Sequence, residues 1–231
     1  MPLFLTERDR TSKEKMDDPD CDLKLLNNTY SQFSNVNRLL GGWSRIYKKW
    51  LLPVLSRSDV QSKVLDIGCG GGDVLRSLKK LTDKDNLNVQ FTGIDPDPRA
   101  IQFAKNKHEN DSMRFLKISS EKLVESGETF DIVISNHLLH HLAEEELLSV
   151  CKDASKLARG LVLFNDIERS DIGYAAFRMI SPIFFRNSFI AEDGITSIKR
   201  SYRQDELKRA LLDNWQVKRL FPYRLLALFE K

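Results

Sequence analysis

The sequence predicts an α/β fold: a mostly parallel sheet with helices on both faces and an antiparallel hairpin near the C-terminal end. Three observations lead there. Short apolar runs alternate with helix-periodic segments from residue 64 to residue 164, and that alternation argues for parallel strands joined by crossover helices. The first run ends in an acid and then glycines, Val64-Leu65-Asp66-Ile67-Gly68-Cys69-Gly70-Gly71-Gly72-Asp73, the order of a buried strand, a tight turn and a helix start. Two further runs, 216–221 and 224–229, flank Pro222-Tyr223, which is a hairpin signal.

Taken in chain order, residues 1–20 are polar and irregular, with a breaker at Met16-Asp17-Asp18-Pro19-Asp20. Residues 22–36 read as a helix from Leu25, Leu26, Tyr30 and Phe33, and 39–56 from Leu39, Trp43, Ile46, Tyr47 and Trp50. Gly41-Gly42 weakens the start of the second. Strands are expected at 64–67, 89–94, 113–118, 130–135 and 161–164. Helices are expected between them at 73–81, 98–107, near Glu121 and at 144–157. The segment 167–200 is rich in aromatic residues and arginine, and 204–212 reads as a helix. There is no internal repeat and no low-complexity tract.

A chain of 231 residues is long enough for one well-buried domain and short for two. Its 36 basic and 33 acidic residues leave a net charge of +3, too little to imply a nucleic-acid partner. Cys21, Cys69 and Cys151 are far apart and form no disulfide framework. No metal-ligand spacing appears, so no metal is expected, and the cysteine usage suggests a reducing, cytoplasmic setting. No run of 18 apolar residues predicts a membrane span. Met1-Pro2-Leu3-Phe4-Leu5 is too short for a signal peptide.

The glycine loop has two readings. A dinucleotide site uses G-x-G-x-x-G and aims a helix N-terminus at a pyrophosphate. Here the glycines fall at Gly68, Gly70 and Gly72, and Asp73 stands three residues after Gly70. An acid there repels a pyrophosphate, so a ligand without phosphate, with cationic groups, fits better.

At these residues the chain resembles class I S-adenosylmethionine (SAM)-dependent methyltransferases. The likeness continues at Phe91-Thr92-Gly93-Ile94-Asp95-Pro96-Asp97. It continues again at Phe130-Asp131-Ile132-Val133-Ile134-Ser135-Asn136-His137-Leu138-Leu139-His140-His141-Leu142, similar to the family's fourth strand and the His-His-Leu that often follows. Three ordered motifs over residues 60–165 are far more specific than one glycine pattern.

The resemblance implies a Rossmann-like, seven-stranded sheet completed by the hairpin, in a single domain over residues 1–231. The SAM-binding core would be 60–165, and 22–56 and 167–203 would form a helical lid. It places Asp66 near the methionyl amino group. Gly68, Cys69, Gly70 and Gly72 would lie along the cofactor, with Cys69 as apolar filler. Asp95 would accept from the ribose hydroxyls, with Pro96 starting the next helix. Ser119 and Ser120 stand where the family often has an acid for the adenine amino group. Asn136 would lie beside the transferable methyl. His137, His140 and His141 are candidate general bases, since a hydroxyl acceptor must lose a proton, although paired histidines at a helix start also serve as scaffold.

The lid segments carry Tyr30, Phe33, Trp43 and Trp50, and Tyr174, Phe177 and Phe184, enough for an apolar small-molecule pocket. Arg169, Arg178, Arg186, Lys199 and Arg200 offer a cation for an acidic acceptor. Asp17-Asp18-Pro19, Asn37-Arg38-Leu39-Leu40-Gly41-Gly42 and Ser197-Ile198-Lys199-Arg200-Ser201-Tyr202 are more loosely similar to bacterial methyltransferases found beside polyketide synthases. The expectation is therefore methyl transfer from SAM to a small aromatic, polyketide-like or lipid-like acceptor at oxygen, by a monomer or dimer. The alternatives are carbon methylation of a quinone-like ring and a non-catalytic SAM-binding module.

Overall fold

In the computed structural model, which describes residues 3–57 and 60–231, the sheet has seven strands in the order β3-β2-β1-β4-β5-β7-β6. These are β1 (Ser62–Ile67), β2 (Val89–Ile94), β3 (Met113–Leu116), β4 (Phe130–Asn136), β5 (Ala158–Ile167), β6 (Gln216–Leu220) and β7 (Arg224–Glu230). The first five run parallel, with Val64 opposite both Phe91 and Ile132. β7 lies antiparallel between β5 and β6. The expected signal-peptide-free start concerns Met1 and Pro2 in part, and those two lie outside the described residues.

Burial explains the near-continuous apolar strands. Period-2 alternation sends Val64, Phe91, Ile132 and Ile134 into one core and Leu65, Val133, Val162 and Phe164 into the other. The first core is covered by α4 (Asp73–Lys84), α5 (Pro98–His108) and a helical run of α2 (Trp43–Ile46), a π turn (Tyr47–Leu51) and α3 (Leu52–Leu55). The second is covered by α6 (Ser120–Glu125), α7 (Glu144–Leu157) and α10 (Gln204–Ala210).

The lid is α1 (Leu23–Leu40) with α8 (Asp171–Phe184) and α9 (Ile190–Arg200). A third apolar cluster of Leu26, Tyr30, Ala100 and Phe189 joins α1 to α5 and the start of α9. The predicted helix at 39–56 begins four residues later than expected. α1 runs on to Leu40, and Gly42, at φ +69°, turns the chain into α2. β5 is longer than the apolar run 161–164 because its pairing with β7 extends to Ile167 opposite Arg224.

Residues 3–20 have the irregularity expected of them, yet they are tied down as a strap. Arg169 donates to the carbonyls of Leu5 and Thr6, Asp193 accepts from the N–H groups of Lys15 and Met16, and Arg99 donates to the carbonyls of Met16 and Asp18.

Candidate active site

The strand order reverses beside β1, between the crossovers to β2 and β4, and in such sheets ligands bind beyond the carboxyl ends of the strands. A cavity of about 1170 Å³ lies there. Asp66, Gly68, Cys69, Gly70, Asp95, Pro96, Asn136, His137, His140 and His141 all line it.

Its first wall is acidic. Asp66 is buried, and its Oδ1 has no hydrogen-bond partner among the described residues. Burial, reinforced by Asp73 and Asp95, holds the Asp66 carboxyl well above the usual range. Asp95 accepts from the N–H of Gly70 at 3.0 Å and of Asp97 at 2.9 Å, and burial raises it too. Gly70, at φ +50°, has nothing within 4 Å of where a Cβ would sit. Orphaned carboxylate, acceptor carboxylate and open glycine backbone suit a ligand carrying an amino cation and vicinal hydroxyls, so these residues fit SAM.

Three residues expected in this set do not line the cavity. Gly72, at φ +78°, caps α4, and a Cβ there would meet the buried Phe115 ring at 2.7 Å. Ser119 caps α6 by accepting from the N–H of Lys122, and Ser120 donates to Asp153 at 2.8 Å. Their hydroxyls serve the fold because the chain turns into α6 immediately after β3.

A buried polar network closes the strand ends. Asn37 of α1 donates to Asp73 at 3.0 Å and accepts from Asn136 Nδ2 at 3.1 Å. Asn136 Oδ1 accepts from Trp43 Nε1, Asn165 Nδ2 and Arg224 Nη2. Arg224 also donates to Asn165 Oδ1 and to His137 Nε2, the latter at 2.9 Å. His137 sits at φ +60°, unusual for a residue with a side chain. Burial and the neighbouring Arg224 push its imidazole well below its ordinary value. Its Nε2 lone pair is therefore occupied, which removes it as the acceptor-facing base.

The other two histidines lie on a 3-10 turn, Leu139–His141, rather than opening α7. His140 Nδ1 stands 2.7 Å from Asp166 Oδ1, and Asp166 Oδ2 accepts the His140 N–H. Burial alone would lower this imidazole, but Asp166 and Glu14 outweigh it and raise it to about 9. Asp166 and Glu14 thus favour the cationic form of His140, which makes it a poor resting base. Glu14, from the strap, lies 3.3 Å from His140 Nε2 and 3.6 Å from His141 Nε2.

The lid supplies the apolar wall. Tyr30, Phe33, Phe177, Phe184 and Phe185 line the cavity. Trp43, Trp50 and Tyr174 do not: Trp43 and Trp50 join the first core, and Tyr174 meets Phe4 edge to face. None of the five cations predicted for the acceptor is on the lining. Arg169 pairs with Glu206, and Arg200 binds the carbonyls of His140 and His141. Two arginines line the cavity among the described residues, Arg38 of α1 and Arg224, the latter hidden in the sequence as the first residue of a strand. Glu14 and Asp17 were equally hidden, inside an aperiodic segment. Asn37, Asp17 and Ser197, however, fall in the blocks that carried the looser resemblance.

Residues 64–160 match the methyltransferase domain family. The ubiquinone biosynthesis O-methyltransferase of Rhizobium etli is 33% identical over 113 residues, 47% of this chain and 42% of that protein. That of Cereibacter sphaeroides is 28% identical over 116 residues, 49% of this chain and 44% of that protein. The match thus spans less than half the length of these curated relatives. Among solved structures, the plantazolicin methyltransferase BpumL with bound S-adenosylhomocysteine aligns at TM-score 0.62 and 14% identity, covering 90% of this chain and 95% of that one. Magnesium protoporphyrin IX methyltransferase from Synechocystis aligns at 0.54 and 16%, covering 91% and 100%. These likenesses establish the fold.

Proposed function

We propose that this chain, which carries a class I SAM-dependent methyltransferase domain, methylates a small, largely apolar acceptor at an oxygen atom. The observation that carries the reading is one continuous cavity that joins Asp66, Gly70 and Asp95 to the aromatic lid wall. Its volume exceeds that of an ordinary single-ligand pocket, so cofactor and acceptor fit side by side.

When bound, SAM supplies an electrophilic methyl group on a sulfonium. Asp66 holds the amino cation and Asp95 the ribose hydroxyls. Tyr30, Phe33, Phe177 and Phe184 orient the acceptor and exclude water. Aligning two reactants in this way replaces a bimolecular encounter and supplies most of the acceleration. The acceptor's hydroxyl proton passes to solvent water, and Glu14 and His141 line the cavity there. The similar proteins are named ubiquinone biosynthesis O-methyltransferases, which supports oxygen as the methylated atom and a phenolic or quinol-like acceptor here.

The test is incubation of the purified chain with methyl-labelled SAM and a panel of phenols, quinols and polyketide pyrones, with products located by mass spectrometry. Label on oxygen supports the reading. Label on ring carbon replaces it with carbon methylation. SAM binding without transfer to any acceptor in the panel or in cell extract makes the chain a binding module.

A further inference from the structure

Glu14, His140 and His141 offer three ligand atoms that all lie within 4.8 Å of one another on the cavity wall. Glu14 and His140 are almost wholly buried, and His141 is about a quarter exposed. Both rings are backed by carboxylates at Nδ1, His140 by Asp166 at 2.7 Å and His141 by Asp17 at 3.3 Å. That leaves both Nε2 atoms facing the same oxygen, Oε1 of Glu14, which also accepts from Ser197 at 2.6 Å.

His140 Nε2 is buried and makes no aligned hydrogen bond, although Glu14 lies 3.3 Å away. A proton bridges one pair of atoms, but three donor atoms converge here.

We propose that Glu14, His140 and His141 bind a divalent transition-metal ion of the Zn²⁺ class. Two imidazole nitrogens and one carboxylate oxygen are a donor set that suits zinc, with an open fourth position. Ligands about 2.1 Å from such an ion stand roughly 3.4 Å apart in tetrahedral geometry, close to the 3.3 and 3.6 Å seen from Glu14 Oε1. Asp166 and Asp17 are the outer carboxylates that fix the ring orientation of metal-binding histidines. Because all three ligands line the cavity, the open position faces it, where an acceptor oxygen or water completes the shell. The ion also clasps the strap to the turn at His140-His141. The site was invisible in the sequence because Glu14 is 126 positions from His140.

The inference does not rest on methyl transfer and is tested without it. The full chain, stripped with a chelator, is titrated with Zn²⁺ by calorimetry and with Co²⁺ by visible absorption. One equivalent binds, and Co²⁺ gives the intense absorption of a four-coordinate site. Glu14→Gln and His141→Ala each weaken binding about tenfold or more, while His108→Ala, on α5, leaves it unchanged. Melting of the metal-free variants confirms that they fold, and the part-exposed His141→Ala decides alone if Glu14→Gln does not. The absence of stoichiometric binding to the parent chain, or equal binding by His141→Ala, overturns the proposal even if methyl transfer is demonstrated.

Discussion

Gly70 and Gly72 stand two residues apart in the same loop, both with positive φ, and the structure assigns them opposite vulnerabilities. At Gly72 an added Cβ meets Phe115 Cε1 and Cζ at 2.7 Å, and Phe115 is fully buried. Left-handed backbone costs an alanine roughly 1–2 kcal/mol, and overpacking adds roughly 1–3 kcal/mol. Gly72→Ala therefore loses about 2–5 kcal/mol, which lowers the melting temperature by about 4–20 °C for a domain of this size. At Gly70 the added Cβ meets nothing within 4 Å, so only the backbone cost of about 1–2 kcal/mol applies. That Cβ instead enters the space assigned to the cofactor. Gly70→Ala is expected to weaken SAM binding about tenfold or more, a loss of about 1.4 kcal/mol or greater, with a melting loss of a few degrees. Circular-dichroism melting and SAM calorimetry read the two effects separately. A Gly70→Ala protein that binds SAM with parental affinity would falsify the placement of the cofactor against this loop.

Three further outcomes are expected. Asp66 is raised by burial, Asp73 and Asp95, so an amino cation that binds there favours the ionised carboxylate and displaces its proton. SAM affinity should then rise with pH until free Asp66 ionises and flatten above that point. Calorimetry in buffers of different ionisation enthalpy should detect the released proton, and Asp66→Asn should abolish both the release and the slope. Arg224→Met removes one of the three donors to Asn136 Oδ1, deprives Asn165 Oδ1 and His137 Nε2 of their Arg224 donor, and should cost about 3 kcal/mol in denaturant unfolding. It should also raise the His137 pKa, measured by NMR titration; an unmoved imidazole would show that burial alone depresses it. A Cβ on Gly194 would stand 2.4 Å from the Phe177 ring, which lines the cavity. Gly194→Ala should push that ring inward and raise the KM of bulky acceptors while SAM affinity stays constant, and equal KM values for large and small acceptors would count against Phe177 as acceptor wall.

What could be read in advance divides along a physical line. Strand and helix alternation is local, so β1 to β5 and the helices between them were legible from periodicity, as was the hairpin from Pro222-Tyr223. Asp66, Gly70 and Asp95, singled out by the resemblance at a strand end, a tight turn and a second strand end, come together on the cavity wall. The strap was not legible, because residues 3–20 carry no period. Their path is set by distant side chains, Asp193, Arg99 and Arg169, which bind their backbone. Arg224 was hidden for a similar reason: its partners come from β4, β5 and His137, and nothing adjacent to it announces a buried cation. Ser119 and Ser120 misled because the strand-end position was right while the hydroxyls were needed for a helix cap and a tie to α7.

The same division explains how an apolar lid is held in one register. Contacts among Tyr30, Phe33 and Phe103 are non-directional, so they tolerate α1 sliding or rotating over the strand ends. Hydrogen bonds do not. Asn37 reaches from α1 to Asp73 at the start of α4 and to Asn136 at the end of β4, and Asn136 is held in turn by Trp43, Asn165 and Arg224. Sliding α1 by one turn would break the Asn37 bonds at the cavity wall, where each buried group left unsatisfied costs roughly 1–3 kcal/mol. The network therefore specifies position more than it adds stability. It does so at the boundary between the acidic cofactor wall and the aromatic acceptor wall, where a shift of about 1 Å would misalign the two reactants.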